Sequence, residues 1–303
     1  MLRLSKQKEN DHRICFQVTQ NSVRLLIVKG SGKAPELIVN DHEQVQQDSL
    51  VKHAETLLGK YSRLSLKHAS VTLLLGTDLY ESVQVDRPAL DPAEISGSLK
   101  YTLSDLVSFS AEEIIADYYE FPEQPSGQDK LVAVAANKNF LMPWVELFNE
   151  HDLSLTDIAI TELALPRLAE TQSHAELTLY QNPAGNYIAQ INTPKGLMFT
   201  RLLRGVTDVS KYTESEIEAG ALEPLATELQ RSVDYFESHL RQAPISRIIL
   251  AVEHMTPEAL EKSLAELLAV ECTRYQYPLW SADLREGDYS DLAGLGVLVE
   301  GDL

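Results

Sequence analysis

Gly30-Ser31-Gly32-Lys33 is the first stretch whose residue types could do chemistry, because a Gly-Lys pair in a glycine-rich turn can cradle phosphates. The spacing excludes that use. No glycine stands five residues before a Gly-Lys-Ser/Thr, and Lys33 runs into Ala34-Pro35 rather than into a helix. These four residues read as a surface turn. The eight histidines (His12, His42, His53, His68, His151, His174, His239 and His254) form no His-x-x-x-His and pair with no cysteine at ligand spacing, which argues against a metal site. Glu253-His254 has the residue types for acid–base work. It falls at a strand-to-helix turn with no nucleophile signal beside it, so a structural loop is expected. Ser110-Ala-Glu-Glu113 has capping-box spacing, but a strand follows at once and the segment reads as a loop. Tyr118, Tyr119 and Phe121 alternate along a strand and read as core and rim, not as a base-stacking platform. Cys15 and Cys272 each lie in an apolar run and read as buried thiols in a reducing compartment.

The charge balance narrows the partners. Lys and Arg number 26 against 45 Asp and Glu, a formal charge of −19. Such a surface repels phosphate backbones and anionic headgroups, so free nucleic acid and direct membrane docking are poor functions for it. A partner offering basic residues suits it better. The opening 13 residues are polar and charged, unlike a secretory signal, and no apolar run approaches the roughly 20 residues that cross a bilayer. A soluble, cytoplasmic protein is expected.

With 303 residues, 44% of them hydrophobic, the chain can build one large or two medium cores. Helical and strand patterns alternate, giving an α/β class. Strands are predicted at 14–18 and 23–28, joined by Thr19-Gln20-Asn21-Ser22, and a helix at 49–61. A compact α/β unit follows: strands at 71–75 and 82–85, a helix opening at Asp91-Pro92-Ala93-Glu94 and carrying Leu99, Leu103, Leu106 and Val107, strands at 114–121 and 131–136, a helix at 140–149 and a strand into Ile160. Asp91 is placed to cap that first helix, with Pro92 at its first position and Glu94 completing a capping box. A second half then shows a meander (177–180, 187–191, 197–203), a helix from 224 to 240, a strand at 247–252, a helix capped by Thr256-Pro257, a strand at 271–275 and a small-residue end at 292–298. On the 224–240 helix Leu225, Leu229, Val233, Phe236 and Leu240 share one face, with Glu228 placed elsewhere. Two similar halves with an insertion in the first suggest a two-lobed actin-like (ribonuclease H-like) ATPase fold.

The residues that sharpen this are Leu131-Val-Ala-Val-Ala-Ala136, Trp144-Val-Glu-Leu-Phe148, His151-Asp-Leu153, Asp157-Ile158 through Glu162-Leu-Ala164, Glu228-Leu-Gln-Arg-Ser-Val-Asp-Tyr-Phe236, and the piece from Leu99 to Phe109 followed by Asp117-Tyr118-Tyr119. In that order, over nearly the whole chain, they resemble the PilM family of type IV pilus assembly proteins, and within it the MshI branch of the MSHA pilus system. The resemblance implies the FtsA-like version of the fold: a first lobe at 1–75, 153–170 and 285–303, a small α/β subdomain inserted at 76–152, and a second lobe at 171–284. It also implies where a nucleotide would sit. Actin-like ATPases place an Asp-x-Gly at each phosphate turn, the glycine admitting the phosphates and the carboxylate organising hydrated Mg²⁺. Here the matching positions carry Gln17 and Thr19 in the first lobe and Gln181 and Pro183 in the second. The adenosine glycines fall on Val252, Glu253 and His254. The resemblance therefore implies no cofactor and a pseudo-ATPase. Its partner would be the N-terminal cytoplasmic tail of a PilN-like inner-membrane protein, with a link to the pilus assembly ATPase layer, and it would be recruited to the inner membrane through that tail. The family's tail groove, between first lobe and insertion, maps to Leu99, Tyr101, Leu103, Val107 and Phe109. Two further readings stand beside this: an ATPase with substituted nucleotide contacts, and the cytoplasmic lobe of a GspL-like secretion protein, a family that continues into a transmembrane helix where this chain stops at Leu303.

Overall fold

The computed structural model describes residues 10–32, 34–46, 48–168 and 174–299. Most of the polar start, Lys33 of the glycine turn and the last four residues lie outside that range. In chain order the first elements are β1 (His12–Val18), β2 (Ser22–Lys29), β3 (Glu36–Gln44), α1 (Leu50–Lys60) and β4 (Ser70–Leu75). Next come β5 (Tyr80–Asp86), α2 (Pro92–Leu103), β6 (Ile114–Tyr119), β7 (Lys130–Asn137), α3 (Lys138–Glu150), β8 (Ser154–Ile160) and α4 (Thr161–Ala164). The second half holds β9 (Glu176–Gln181), β10 (Tyr187–Thr193), β11 (Gly196–Leu202), α5 (Glu214–Glu218), α6 (Glu223–Asp234), β12 (Arg247–Ala251), α7 (Pro257–Leu268), β13 (Glu271–Arg274) and α8 (Leu292–Val297).

These elements make one sheet plan twice. The first sheet runs β3-β2-β1-β4-β8 and the second β11-β10-β9-β12-β13. In each, three antiparallel strands are followed by two parallel ones on the far side of the first. Counting strands within each half gives the same order, 3-2-1-4-5. Parallel neighbours need a crossover, and α7 supplies it between β12 and β13. The matching crossover between β4 and β8 is α3.

That equivalence corrects one boundary. The helix expected inside the inserted unit belongs by packing to the first sheet: Trp144 and Phe148 of α3 are 1% exposed and stack on Phe16 of β1, with ring centroids 5.9 and 5.6 Å away. Fully burying such side chains is worth about 1.5–3 kcal/mol each, enough to anchor the helix there. What stands apart is a three-stranded sheet, β5-β7-β6, with α2 on one face.

Both faces of the first sheet are covered, which explains its near-continuous apolar strands. Alternate residues Ile14, Phe16, Leu25, Ile27 and Leu73 face α1 and α3, while Cys15, Leu26, Val28 and Leu74 face α8. Cys15 and Cys272 are buried free thiols. The second sheet packs Leu177, Leu179, Ile248 and Leu250 against α6 and α7, and turns Tyr180, Ile188 and Ala251 towards Leu292 of α8.

Local capping differs from the sequence reading in two places. Asp91 and Thr256 occupy the N-cap positions of α2 and α7, but neither side chain bonds to the helix. Pro92 and Pro257 fit the first helical position, and the N–H groups of Glu94 and Ala259 donate instead to the main-chain carbonyls of Asp91 (2.8 Å) and Thr256 (3.1 Å). α2 also stops at Leu103, so Leu106 and Val107 lie beyond it. The 224–240 stretch is α6 plus a π-helical turn, Tyr235–His239, that keeps Phe236 and Leu240 buried. Glu228, placed off the apolar face, is 8% exposed and is bridged by Arg201 and Arg231. Among the described residues no helix is long and apolar enough to cross a membrane.

α8 depends on its glycines. A Cβ at Gly296 would overlap the Ala164 carbonyl, and one at Gly294 would overlap Leu26. Gly97, mid-helix in α2, has open space around it. Gly296→Ala is therefore expected to cost about 1–3 kcal/mol by overpacking, whereas Gly97→Ala should gain roughly 0.5–1 kcal/mol. Urea midpoints for the two variants check both signs.

Candidate functional site

The strand ends nearest the centre of the molecule converge on one cleft of about 380 Å³ between the two sheets. Gln17 and Thr19 reach it from the end of β1, Gln181 and Pro183 from the end of β9, and Glu253 from the turn after β12. The repeated topology causes this convergence, because it brings equivalent strand ends of both halves to the same place. Val252 and His254 do not line the cleft. They are 4% and 8% exposed, and His254 accepts the Thr256 N–H at Nδ1 (2.9 Å) while burial lowers its pKa. His254 is thus a neutral ring that orders the turn into α7.

The polar groups of the cleft are largely committed to one another. Gln17 Nε2 donates to the Ser290 carbonyl (2.8 Å). Thr19 Oγ1 meets Ser22 Oγ (2.7 Å), and the Gln20 N–H donates to Asp78 Oδ2 (2.8 Å). Asn182 Oδ1 accepts the N–H groups of Ala184 (3.1 Å) and Asn186 (2.9 Å), and Gln181 Nε2 reaches the Gly185 carbonyl (3.3 Å). The 19–22 and 182–186 turns are folded onto their own side chains, while Gln17 Oε1 is buried without a hydrogen-bond partner among the described residues.

The sequence reading missed the charged part of this site. Arg24, near the start of β2, lines the cleft at 7% exposure. Its guanidinium donates to Asn40 Oδ1 (2.7 Å) and Ser290 Oγ (2.9 Å) and pairs with Glu286 (3.3 Å). Asn40 also donates to Asp291 Oδ2 (2.8 Å), whose other oxygen accepts from Tyr277 (2.8 Å). Asp291 is fully buried, and burial raises its pKa against the pull of Arg24 and its hydrogen bonds. The only signal was an arginine inside an apolar strand, Val23-Arg24-Leu25; two of its partners, Glu286 and Ser290, lie more than 250 residues away. Glu253 and Asp288 bring carboxylates to the same cleft. The cleft thus combines an arginine already engaged in hydrogen bonds with the carboxylates of Glu253 and Asp288. Among the described residues no group of three or more His, Cys, Asp or Glu side chains could hold a metal ion.

A second candidate surface lies at the inserted sheet. Four of the five expected tail residues come together there, but inside the unit's own core rather than along an open groove. Leu99 and Leu103 are fully buried on the inner face of α2, Val107 and Phe109 pack against the same core, and Tyr101 is 71% exposed on the helix's outer side. The reason is period-2 alternation: Leu131, Ala133 and Ala135 of β7 face α2, while Val134, Ala136 and Tyr119 face the first lobe. α2 therefore covers the face turned away from that lobe. Across the gap between β6 and the first lobe, Asp157 of β8 lies within electrostatic reach of Asp117 of β6, whose carboxylate accepts the Ser96 hydroxyl of α2 (2.8 Å). Both strands are sheet edges with one side unpaired. Ile115 and Ile158 are 43% and 37% exposed. Burial raises the pKa of Asp157, and Asp117 across the gap adds to the rise while Arg167 opposes it.

Two lobes of one topology closing on a central cleft, with a small sheet inserted in the first, define an actin-like fold. No family model and no curated protein sequence matches the chain. Solved structures do. A chain of a PilM–PilN type IV pilus biogenesis complex superposes with a TM-score of 0.65 at 15% identity, covering 96% of this chain and 97% of that one. The cytoplasmic domain of EpsL, an inner-membrane component of the type II secretion system of Vibrio cholerae, gives 0.51 at 10% identity, with 96% of each chain covered. A protein of actin-like ATPase fold and unknown function from Bacteroides thetaiotaomicron gives 0.53 at 10% identity over 91% of this chain and 94% of that one.

The Arg24 cluster ties β2 and β3 to the segment before α8. Arg24→Ala strips a buried network of its cation and should destabilise the protein by about 2–3 kcal/mol. Denaturant unfolding of Arg24→Ala beside wild type checks this.

Proposed function

We propose that this chain is a non-catalytic cytoplasmic scaffold of type IV pilus biogenesis, of the MshI-like MSHA branch, that binds the N-terminal tail of a PilN-like inner-membrane protein and is recruited to the membrane by it. The observation that carries the reading is the likeness, end to end, to a chain of the PilM–PilN complex. The self-bonded turns at 19–22 and 181–186 and the Gln17–Ser290 bond support the absence of ATP turnover, since a nucleotide would have to break these hydrogen bonds and sit beside Glu253 and Asp288. On this reading the tail binds as an added strand between the open edges of β6 and β8, gaining main-chain hydrogen bonds there. Asp117 and Asp157 favour a tail with a basic residue, in keeping with the overall charge of −19. The similarity to the EpsL cytoplasmic domain favours a second reading, a component of a secretion system with the same tail-binding task.

Titration calorimetry with Mg-ATP, then with a synthetic peptide of the partner's tail, tests the proposal. No heat is expected from ATP and saturable binding from the peptide. Asp117→Asn with Asp157→Asn should weaken the peptide about tenfold and flatten its salt dependence, whereas Tyr101→Ala should leave it within twofold. Tight ATP binding would overturn the scaffold reading.

A further inference from the structure

Helix α7 presents two apolar stripes. Leu260, Leu264 and Leu268 are buried in the core of the second lobe. The neighbouring stripe, Ala259, Ser263 and Leu267, has the same four-residue spacing but is only partly covered. With Ile217 of α5 it lines a surface groove of about 360 Å³ between the two helices. Leu267 is 47% exposed, and Ala259 and Ser263 are small, so side chains from outside can sit low in the groove. The groove shares no lining residue with the central cleft. Its rim is negative: Glu214 and Glu218 of α5, Glu223 of α6 and Glu266 of α7 stand against one cation, Lys262. Among the described residues none of these four carboxylates is held in an ion pair. Other carboxylates of the lobe are matched. Glu258 and Glu261, on α7 itself, pair with Arg274, and Glu228 is bridged by Arg201 and Arg231.

We propose that the groove between α5 and α7 docks a basic amphipathic helix of another protein, which lays an apolar ridge on Ala259, Ser263 and Leu267 and sets lysines or arginines against the glutamates. The four-residue spacing of the stripe accepts the equivalent ridge of a second helix. α7 has 12 residues, roughly 18 Å of helix, so about three turns of a partner fit along it. The unmatched rim selects for positive charge and lets it find the site from a distance. A second copy of this chain is a poor occupant, because two molecules of charge −19 repel. The groove lies in the second lobe and the gap between β6 and β8 does not, so this docking goes beyond the scaffold reading and stands if tail binding fails.

The probe is a synthetic helical peptide of about 14 residues, with leucines at helical spacing on one face and lysines beside them. Its affinity for the full chain is read by fluorescence anisotropy and its position by amide hydrogen exchange. Saturable binding is expected, with protection gained at 257–268. Glu218→Gln with Glu266→Gln should weaken it about fivefold. Ser263→Trp fills the groove without changing charge and should weaken it about tenfold. Two control pairs should leave it within about twofold: Glu36→Gln with Glu55→Gln, the same charge change in the first lobe, and Asp117→Asn with Asp157→Asn, at the proposed tail site. Equal losses from the groove pair and the first-lobe pair would mean diffuse attraction to an acidic surface and would overturn the proposal. Protection gained at 114–119 or 154–160 in place of 257–268, no saturable binding, or full affinity in a folded Ser263→Trp would do the same. Should Ser263→Trp fail to fold, the groove pair and the exchange map decide between these outcomes.

Discussion

The close approach of α8 to the first sheet is the constraint on which the rest of the molecule rests. Gly294 and Gly296 leave no side chain where Leu26 and the Ala164 carbonyl need the space. At the other end of the same short helix, Leu292 meets Tyr180, Ile188 and Ala251 of the second sheet. One helix thus shares its surface between two cores, and Gln17 is pinned beside it through the Ser290 carbonyl. Helix propensity would argue against six residues carrying two glycines, and tertiary packing overrides it. The cleft has its shape because the helix can lie that low.

The inserted sheet shows the same economy in a different form. Its two faces serve different masters: one packs α2, the other meets the first lobe through Tyr80, Tyr119 and Ala136. The alternation that separates them also separates the residues that close the unit's own core from those that seat it on the lobe. Asp117 and Asp157 come from two different sheets, so their mutual repulsion is set by how the unit is seated on the lobe.

Much of the fold was legible because it is written in alternation and helical spacing. β1, β2, β4, β7, β9, β10 and β11 all carry apolar runs or alternations that the burial pattern repeats. β3 escaped notice because it is an edge strand whose second half, Asn40-Asp41-His42-Glu43-Gln44, is polar and gives no apolar period. α8 escaped because two glycines hide a helix. α3 was seen as a helix but assigned to the wrong neighbour, since Trp144 and Phe148 announce burial without saying against what. The cleft residues Gln17, Thr19, Gln181, Pro183 and Glu253 could be placed by analogy with a repeated turn. Arg24 and its partners could not, because contacts such as Arg24 with Ser290 have no local sequence signature.

The position of α8 in the chain has a consequence for synthesis. The second lobe's sheet and helices, from β9 to β13, are made as one continuous stretch and can close their own core as soon as they emerge. The first lobe cannot. Its sheet is complete at Ile160, yet Cys15, Leu26, Val28 and Leu74 wait for residues 292–297 to cover them. On the ribosome the earlier lobe therefore stays open on one face until the later one has been made, and that apolar face is what a chaperone would meet first.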